Sequence, residues 1–126
     1  MKNQYKLSRR KFFQLAIIGS GGILLFAKCN SSDSSWRFFS NAEAKLMDAL
    51  ADQIIPPDEW PGGRESGVTN FIDKQLIGPY SRFQSKYRKG LKAIQESCEN
   101  QFYKKFEKLV WDQQTGFLEA MEAGKM

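Results

Sequence analysis

Phe83, Tyr87, Leu91, Ile94 and Cys98 follow one another at spacings of four, four, three and four residues. Such spacing keeps all five side chains on one face of an α-helix, whereas a strand would scatter them over both of its faces. The longest helix is expected over residues 81–101. Its opposite face carries Arg82, Lys86, Arg88, Lys89, Lys92, Glu96 and Glu99, a surface suited to solvent, an acidic partner or anionic headgroups. From residue 36 onward no stretch shows sustained strand alternation, so the chain reads as all-α.

Shorter helical segments flank this one. Ser40 followed by Glu43 fits a capping box, opening a helix over residues 42–55 with Leu46, Leu50 and Ile54 on its inward face. Pro56-Pro57 stops it, because proline has no amide to donate and disfavours helix in the residue before it. Residues 58–65 are loop by composition and contain Trp60-Pro61-Gly62-Gly63. Ser66 or Thr69 is expected to cap a second helix reaching about residue 77, with Val68, Phe71, Ile72 and Leu76 inward, before Gly78-Pro79. Asp73 in that helix suits the positive end of its dipole. Farther on, Phe102, Phe106 and Leu109 or Val110 share a face. Asp112 is placed to cap a last helix carrying Phe117, Leu118 and Met121, with Gly124 at its C-terminal end. The expectation is a small irregular bundle of about four to five short helices spanning residues 36–126, after an N-terminal signal segment.

That segment, residues 1–35, has a layout of its own. Residues 2–11 are polar and cationic, and residues 12–27 are apolar but broken by Gly19, Ser20, Gly21 and Gly22. The run is shorter than the roughly 20 apolar residues of a membrane span, and the order of charge before apolar run is that of an export signal. Within it, Ser8-Arg9-Arg10-Lys11-Phe12-Phe13 resembles the twin-arginine motif, with Arg9, Arg10 and Phe12 as its recognition residues. Such signals export proteins already folded. Cys29, followed by the Ser-rich tether Asn30 to Ser35, looks like a bacterial lipidation site, although Lys28 stands where a small residue is usual and Phe26 where Leu is usual. The alternatives are a lipidated Cys29 and an uncleaved or differently cleaved leader. In either case the expected location is the periplasm.

Charge and composition narrow the function. Six of the 19 basic residues lie in residues 1–28, which hold no acid, leaving 13 basic against 14 acidic residues for the rest. The basic excess therefore belongs to the leader, and nucleic acid is not an expected partner. There is no histidine, which removes Ser/His/Asp and Cys/His nucleophile arrangements and histidine-ligated metals. Two cysteines hold neither an iron–sulfur cluster nor a four-thiolate zinc site. Asp48, Asp52, Asp58 and Glu59 follow no calcium-loop pattern. No catalytic, cofactor-binding or metal-ligating residue is assigned, and Cys98 is expected to be buried in its helix. The generous aromatic supply, 10 Phe, 4 Tyr and 3 Trp, points to rings reserved for another protein. Trp60, Pro61 and Gly62 are the candidate contact, the competing arrangement being Trp60 folded over the bundle as a lid.

The order of these features resembles the gluconate 2-dehydrogenase subunit 3 family. The likeness rests on Ala51-Asp52-Gln53-Ile54-Ile55-Pro56, the Trp-Pro-Gly-Gly loop, Gly67-Val68-Thr69-Asn70-Phe71-Ile72-Asp73, and then Gln113-Gln114, Phe117-Leu118 and Gly124. Gly63 stands where the family commonly has Ala. The family's usual further helix and aromatic C-terminal segment are not in this sequence, which leaves a short member and a truncated one as alternatives. The resemblance implies a non-catalytic accessory subunit of a flavin-dependent sugar or sugar-acid dehydrogenase. A large partner subunit would hold FAD and a third subunit haem c, and this chain would carry the twin-arginine signal through the translocase. The alternative is an independent envelope lipoprotein with a structural or peptide-binding role.

Overall fold

The computed structural model describes residues 35–125. They form four α-helices and two single 3-10 turns, with no strand among the described residues. Helix α1 spans Asn41–Ile54, α2 Val68–Leu76, α3 Gln84–Phe102 and α4 Trp111–Glu122; the 3-10 turns are Ser81–Phe83 and Phe106–Lys108. The expected all-α bundle is what forms. A fifth helix around residues 102–110 does not, because Tyr103 ends α3 in the left-handed conformation, φ 56°, and Lys105 and Leu109 are extended on either side of the second turn.

Helix α1 begins as its sequence dictates. The Ser40 hydroxyl accepts the Glu43 amide at 3.2 Å while Glu43 Oε2 accepts the Ser40 amide at 2.8 Å, satisfying two donors that a helix start leaves open. Arg88 of α3 then fastens this start from outside. It pairs with Glu43, donates to the Phe38 carbonyl at 2.6 Å and lies 4.2 Å from the Phe38 ring centre. Burial pushes the Glu43 carboxyl upward, but the bonds from Arg88 and Ser40 outweigh it and hold the group below its ordinary value. At the other end the helix stops at Ile55, ahead of the two prolines. Leu46 is buried and Leu50 packs against the core, but Ile54 is 78% exposed rather than inward. The last turn is held instead by its neighbour: Gln53 donates to Gln114 at 3.0 Å and accepts from Thr115 at 2.9 Å, so Ile54 turns away.

Helix α2 is rotated from its expected setting. Its cap is Gly67, at φ 78°, with no side-chain bond. Neither Ser66 nor Thr69 caps it: Ser66 donates to the Pro61 carbonyl, and Thr69 donates to Asp48 of α1 at 2.6 Å. The buried residues are Thr69, Asp73 and Leu76, while Phe71 is 63% exposed. Two polar groups decide this face, because each has a partner inside the bundle. Asp73 Oδ2 accepts the amide of Arg37 at 2.8 Å, and Oδ1 accepts those of Phe38 and Phe39 at 2.9 Å each. Burial raises the Asp73 pKa, and the three amides, with the Arg37 charge, more than reverse it, leaving the group lowered. Asp73 thus acts as a receptor for the chain entering α1, beyond any dipole effect, and it seats Phe39, 2% exposed, in the core.

The rest of the core gathers Leu46, Leu76, Leu91, Cys98, Phe106 and Phe117. Phe106 sits on no α-helix, and its backbone is satisfied by side chains: the amide donates to Gln95 at 3.0 Å and the carbonyl accepts from Gln114 at 3.0 Å. Its ring, fully buried, lies 5.8 Å from that of Phe117. Cys98 is fully buried on α3 as expected and donates to the Lys104 carbonyl at 3.3 Å. Burial first, then the charges of Glu107 and Glu99, push its thiol upward. In α4 the cap position is Val110, whose amide donates to Gln113, and Asp112 lies within the first turn instead of capping it. Met121 stays at the surface, 36% exposed, and Gly124 closes the helix at φ 65°.

Candidate partner-docking surface

Three of the four acids that could have suggested chemistry are committed elsewhere, and Glu59 lies exposed on the loop. Asp48 binds Thr69, Asp52 accepts the Arg64 amide at 2.8 Å and pairs with its guanidinium at 3.5 Å, and Asp58 accepts the Trp60 amide at 2.8 Å. Among the described residues no group of three His, Cys, Asp or Glu is placed to hold a metal ion, and every buried side-chain nitrogen or oxygen has a partner. No helix among them is long and apolar enough to cross a membrane.

The Trp60-Pro61-Gly62 motif divides in two. Gly62 and Gly63 are buried beneath the loop against the end of α1, where the Gly63 amide donates to the Ile55 carbonyl at 2.9 Å. A Cβ on Gly63 would lie 2.4 Å from the Ala51 carbonyl oxygen, so glycine is required by close backbone approach. The glycines anchor the loop, and Asp58 folds its tip by accepting the Trp60 amide while its own amide donates to the Trp60 carbonyl at 3.2 Å. Trp60 is therefore held outward, 77% exposed, and forms no lid over the bundle. Pro61 is exposed beside it. Ile54 and Ile55 are exposed at the root of the same loop. The Thr115 hydroxyl lies 2.9 Å from the Gln53 side-chain oxygen and 3.1 Å from the Trp111 carbonyl, which brings exposed Val110 and Trp111 to this end of the bundle as well.

A second apolar surface escaped the sequence pattern. Phe71, Ile72 and Gln75 of α2, Tyr80 and Phe83 around the first 3-10 turn, and Tyr87 of α3 line an open groove of about 460 Å³. Tyr80 and Phe83 stack with ring centres 6.2 Å apart. The apolar spacing in α2 does mark Phe71 and Ile72, but assigns them to the interior. Ile72 does pack against the core, whereas Phe71 is left exposed by the rotation that Thr69 and Asp73 impose.

The basic face of α3 also divides. Arg88 is consumed by Glu43 and the Phe38 carbonyl, and Lys92 pairs with Glu96 at 3.6 Å. Among the described residues Arg82 and Lys86 pair with no acid; they lie over the Phe83 ring, 4.7 and 5.7 Å from its centre. The export residues Arg9, Arg10 and Phe12 and the candidate lipidation residue Cys29 lie outside the described residues.

Neither the curated proteins nor the solved structures include a match to this chain. The profile of the family described as gluconate 2-dehydrogenase subunit 3 matches residues 41–126, from the first residue of α1 to the end of the sequence. With the greater part of its length so matched, the chain belongs to the gluconate 2-dehydrogenase subunit 3 family.

Proposed function

We propose that this chain is a non-catalytic accessory subunit of a periplasmic, flavin-dependent dehydrogenase of the gluconate type, and that its twin-arginine motif exports the catalytic subunit bound to it. The observation that carries the reading is the family match over the whole helical domain. A histidine-free chain whose Asp48, Asp52, Asp58 and Asp73 are engaged in structural bonds supports it. So does the outward Trp60, which offers a rigid aromatic anchor of the kind that dominates protein interfaces. In this reading FAD resides in the large partner subunit, haem c in a third subunit, and Arg9, Arg10 and Phe12 address the pair to the translocase. Cys29, or the uncleaved leader, then anchors the complex at the membrane.

The test is a pull-down of the tagged full-length protein from its native membranes, with an absorption scan of the eluate for flavin. The expected result is a co-eluting large flavoprotein that is lost from the periplasm when Arg9 and Arg10 are both changed to Lys. A protein that elutes alone, and whose acyl labelling depends on Cys29, would instead be an independent envelope lipoprotein.

A further inference from the structure

The segment from Lys74 to Lys92 holds six basic residues, Lys74, Arg82, Lys86, Arg88, Lys89 and Lys92, and no acid. The groove is built from this segment together with Phe71 and Ile72 just ahead of it. Its floor is apolar, its wall includes a 63% exposed phenylalanine, and its rim carries two cations, Arg82 and Lys86, held against the ring of Phe83 with no carboxylate partner among the described residues. Rings that already position two cations lower the ordering cost of any anion that meets them. The concavity also discriminates between occupants. A projecting apolar side chain of a folded surface can enter this open recess of about 460 Å³ between the rings, which favours a protruding anchor over a flat one.

Resting on the accessory-subunit reading above, we infer that this groove between α2 and the start of α3 seats an apolar side chain of the dehydrogenase partner, presented on a segment with carboxylates on either side. The apolar anchor packs between Phe71 and Tyr87, and the carboxylates meet Arg82 and Lys86. Exposed pairs of this kind are screened by salt, while a buried apolar anchor is not. The two halves of the contact therefore separate experimentally.

The experiment uses the full-length chain co-expressed with its flavoprotein, reading flavin recovered per mole of tagged bait over a range of sodium chloride. Wild type retains flavoprotein, less so as salt rises. Phe71→Glu lowers the affinity by about tenfold or more. The double variant Arg82→Glu with Lys86→Glu lowers recovery at low salt and flattens the salt dependence. Tyr103→Gly, at the far end of α3, recovers as much as wild type. Circular dichroism checks the fold of each, and should Phe71→Glu fail to fold, the charge-reversed variant, which alters exposed residues alone, decides. Recovery unchanged in both groove variants overturns the inference and leaves the accessory role standing. Absence of flavoprotein with wild type overturns both. An intact complex together with loss of binding to phosphatidylcholine and phosphatidylglycerol vesicles in Phe71→Glu also overturns it, in favour of a membrane-facing groove.

Discussion

The carboxylate of Asp73 accepts the backbone amide of Phe39 at 2.9 Å across 34 residues of sequence, and accepts two further amides, from Arg37 and Phe38, on the same side chain. Removing the charge keeps the shape but sets a side-chain N–H₂ against backbone donors. Asp73→Asn is expected to cost about 2 to 3 kcal/mol of unfolding free energy, the range for buried bonds to a charged group. Urea denaturation measures it against Glu96→Gln, an exposed control expected to stay within about 0.5 kcal/mol of wild type. A loss in Asp73→Asn no larger than the control's would contradict the role assigned to these bonds.

The same carboxylate sets the response to acid. Asp73 and Glu43 both titrate below their ordinary values of 3.8 and 4.5 in the folded protein. A group with a lowered folded pKa contributes stability that is present above its unfolded value and is lost as pH falls from there through the folded value. Stability is thus expected to be level above about pH 5 and to drop below about pH 4. In Asp73→Asn the drop should be shallower, as read from urea midpoints at stepped pH.

Two glycine substitutions should move stability in opposite directions. Gly63→Ala forces a Cβ to within 2.4 Å of the Ala51 carbonyl oxygen, and backbone rather than a flexible side chain must yield. A loss of about 1 to 3 kcal/mol or more is expected. Gly116→Ala, inside α4 with nothing within 4 Å of the added carbon, should gain up to about 1 kcal/mol from helix propensity. Thermal melts of the two single variants give the signs directly.

Tyr103 occupies a left-handed backbone position, φ 56°, with its side chain 91% exposed. No burial offsets the clash between Cβ and the backbone. Tyr103→Gly is expected to stabilise the domain by about 1 kcal/mol, since glycine enters this conformation freely. The gain should appear as a higher denaturation midpoint with an unchanged dependence on denaturant.

What could be read from the sequence was local. The Ser40–Glu43 box, the stop at Pro56 and the stripe from Phe83 to Cys98 depend on residues within a turn or two of one another, and the structure places all three as read. The orientation of α2 was not local. Apolar spacing groups Phe71 with Val68, Ile72 and Leu76 on one inward face and takes no account of polar residues that compete for it. The decision falls to Thr69 and Asp73, whose partners are Asp48 and three backbone amides far away in sequence. A Thr, an Asp and a Leu at spacings of four and three were the available signal, and polarity argued against reading them as a buried face. The same long-range logic hid Gln95 and Gln114, which complete the backbone of Phe106. The groove, assembled from three segments, followed from the rotation and so was invisible until α2 was set.

A pull on the chain ahead of Arg37 meets Asp73 before it reaches α1. The three amides belong to consecutive residues and converge on one carboxylate, so the chain is fastened to α2 at three successive points. Force arriving from residues ahead of Arg37 is thereby directed into α2 before it reaches the first turn of α1.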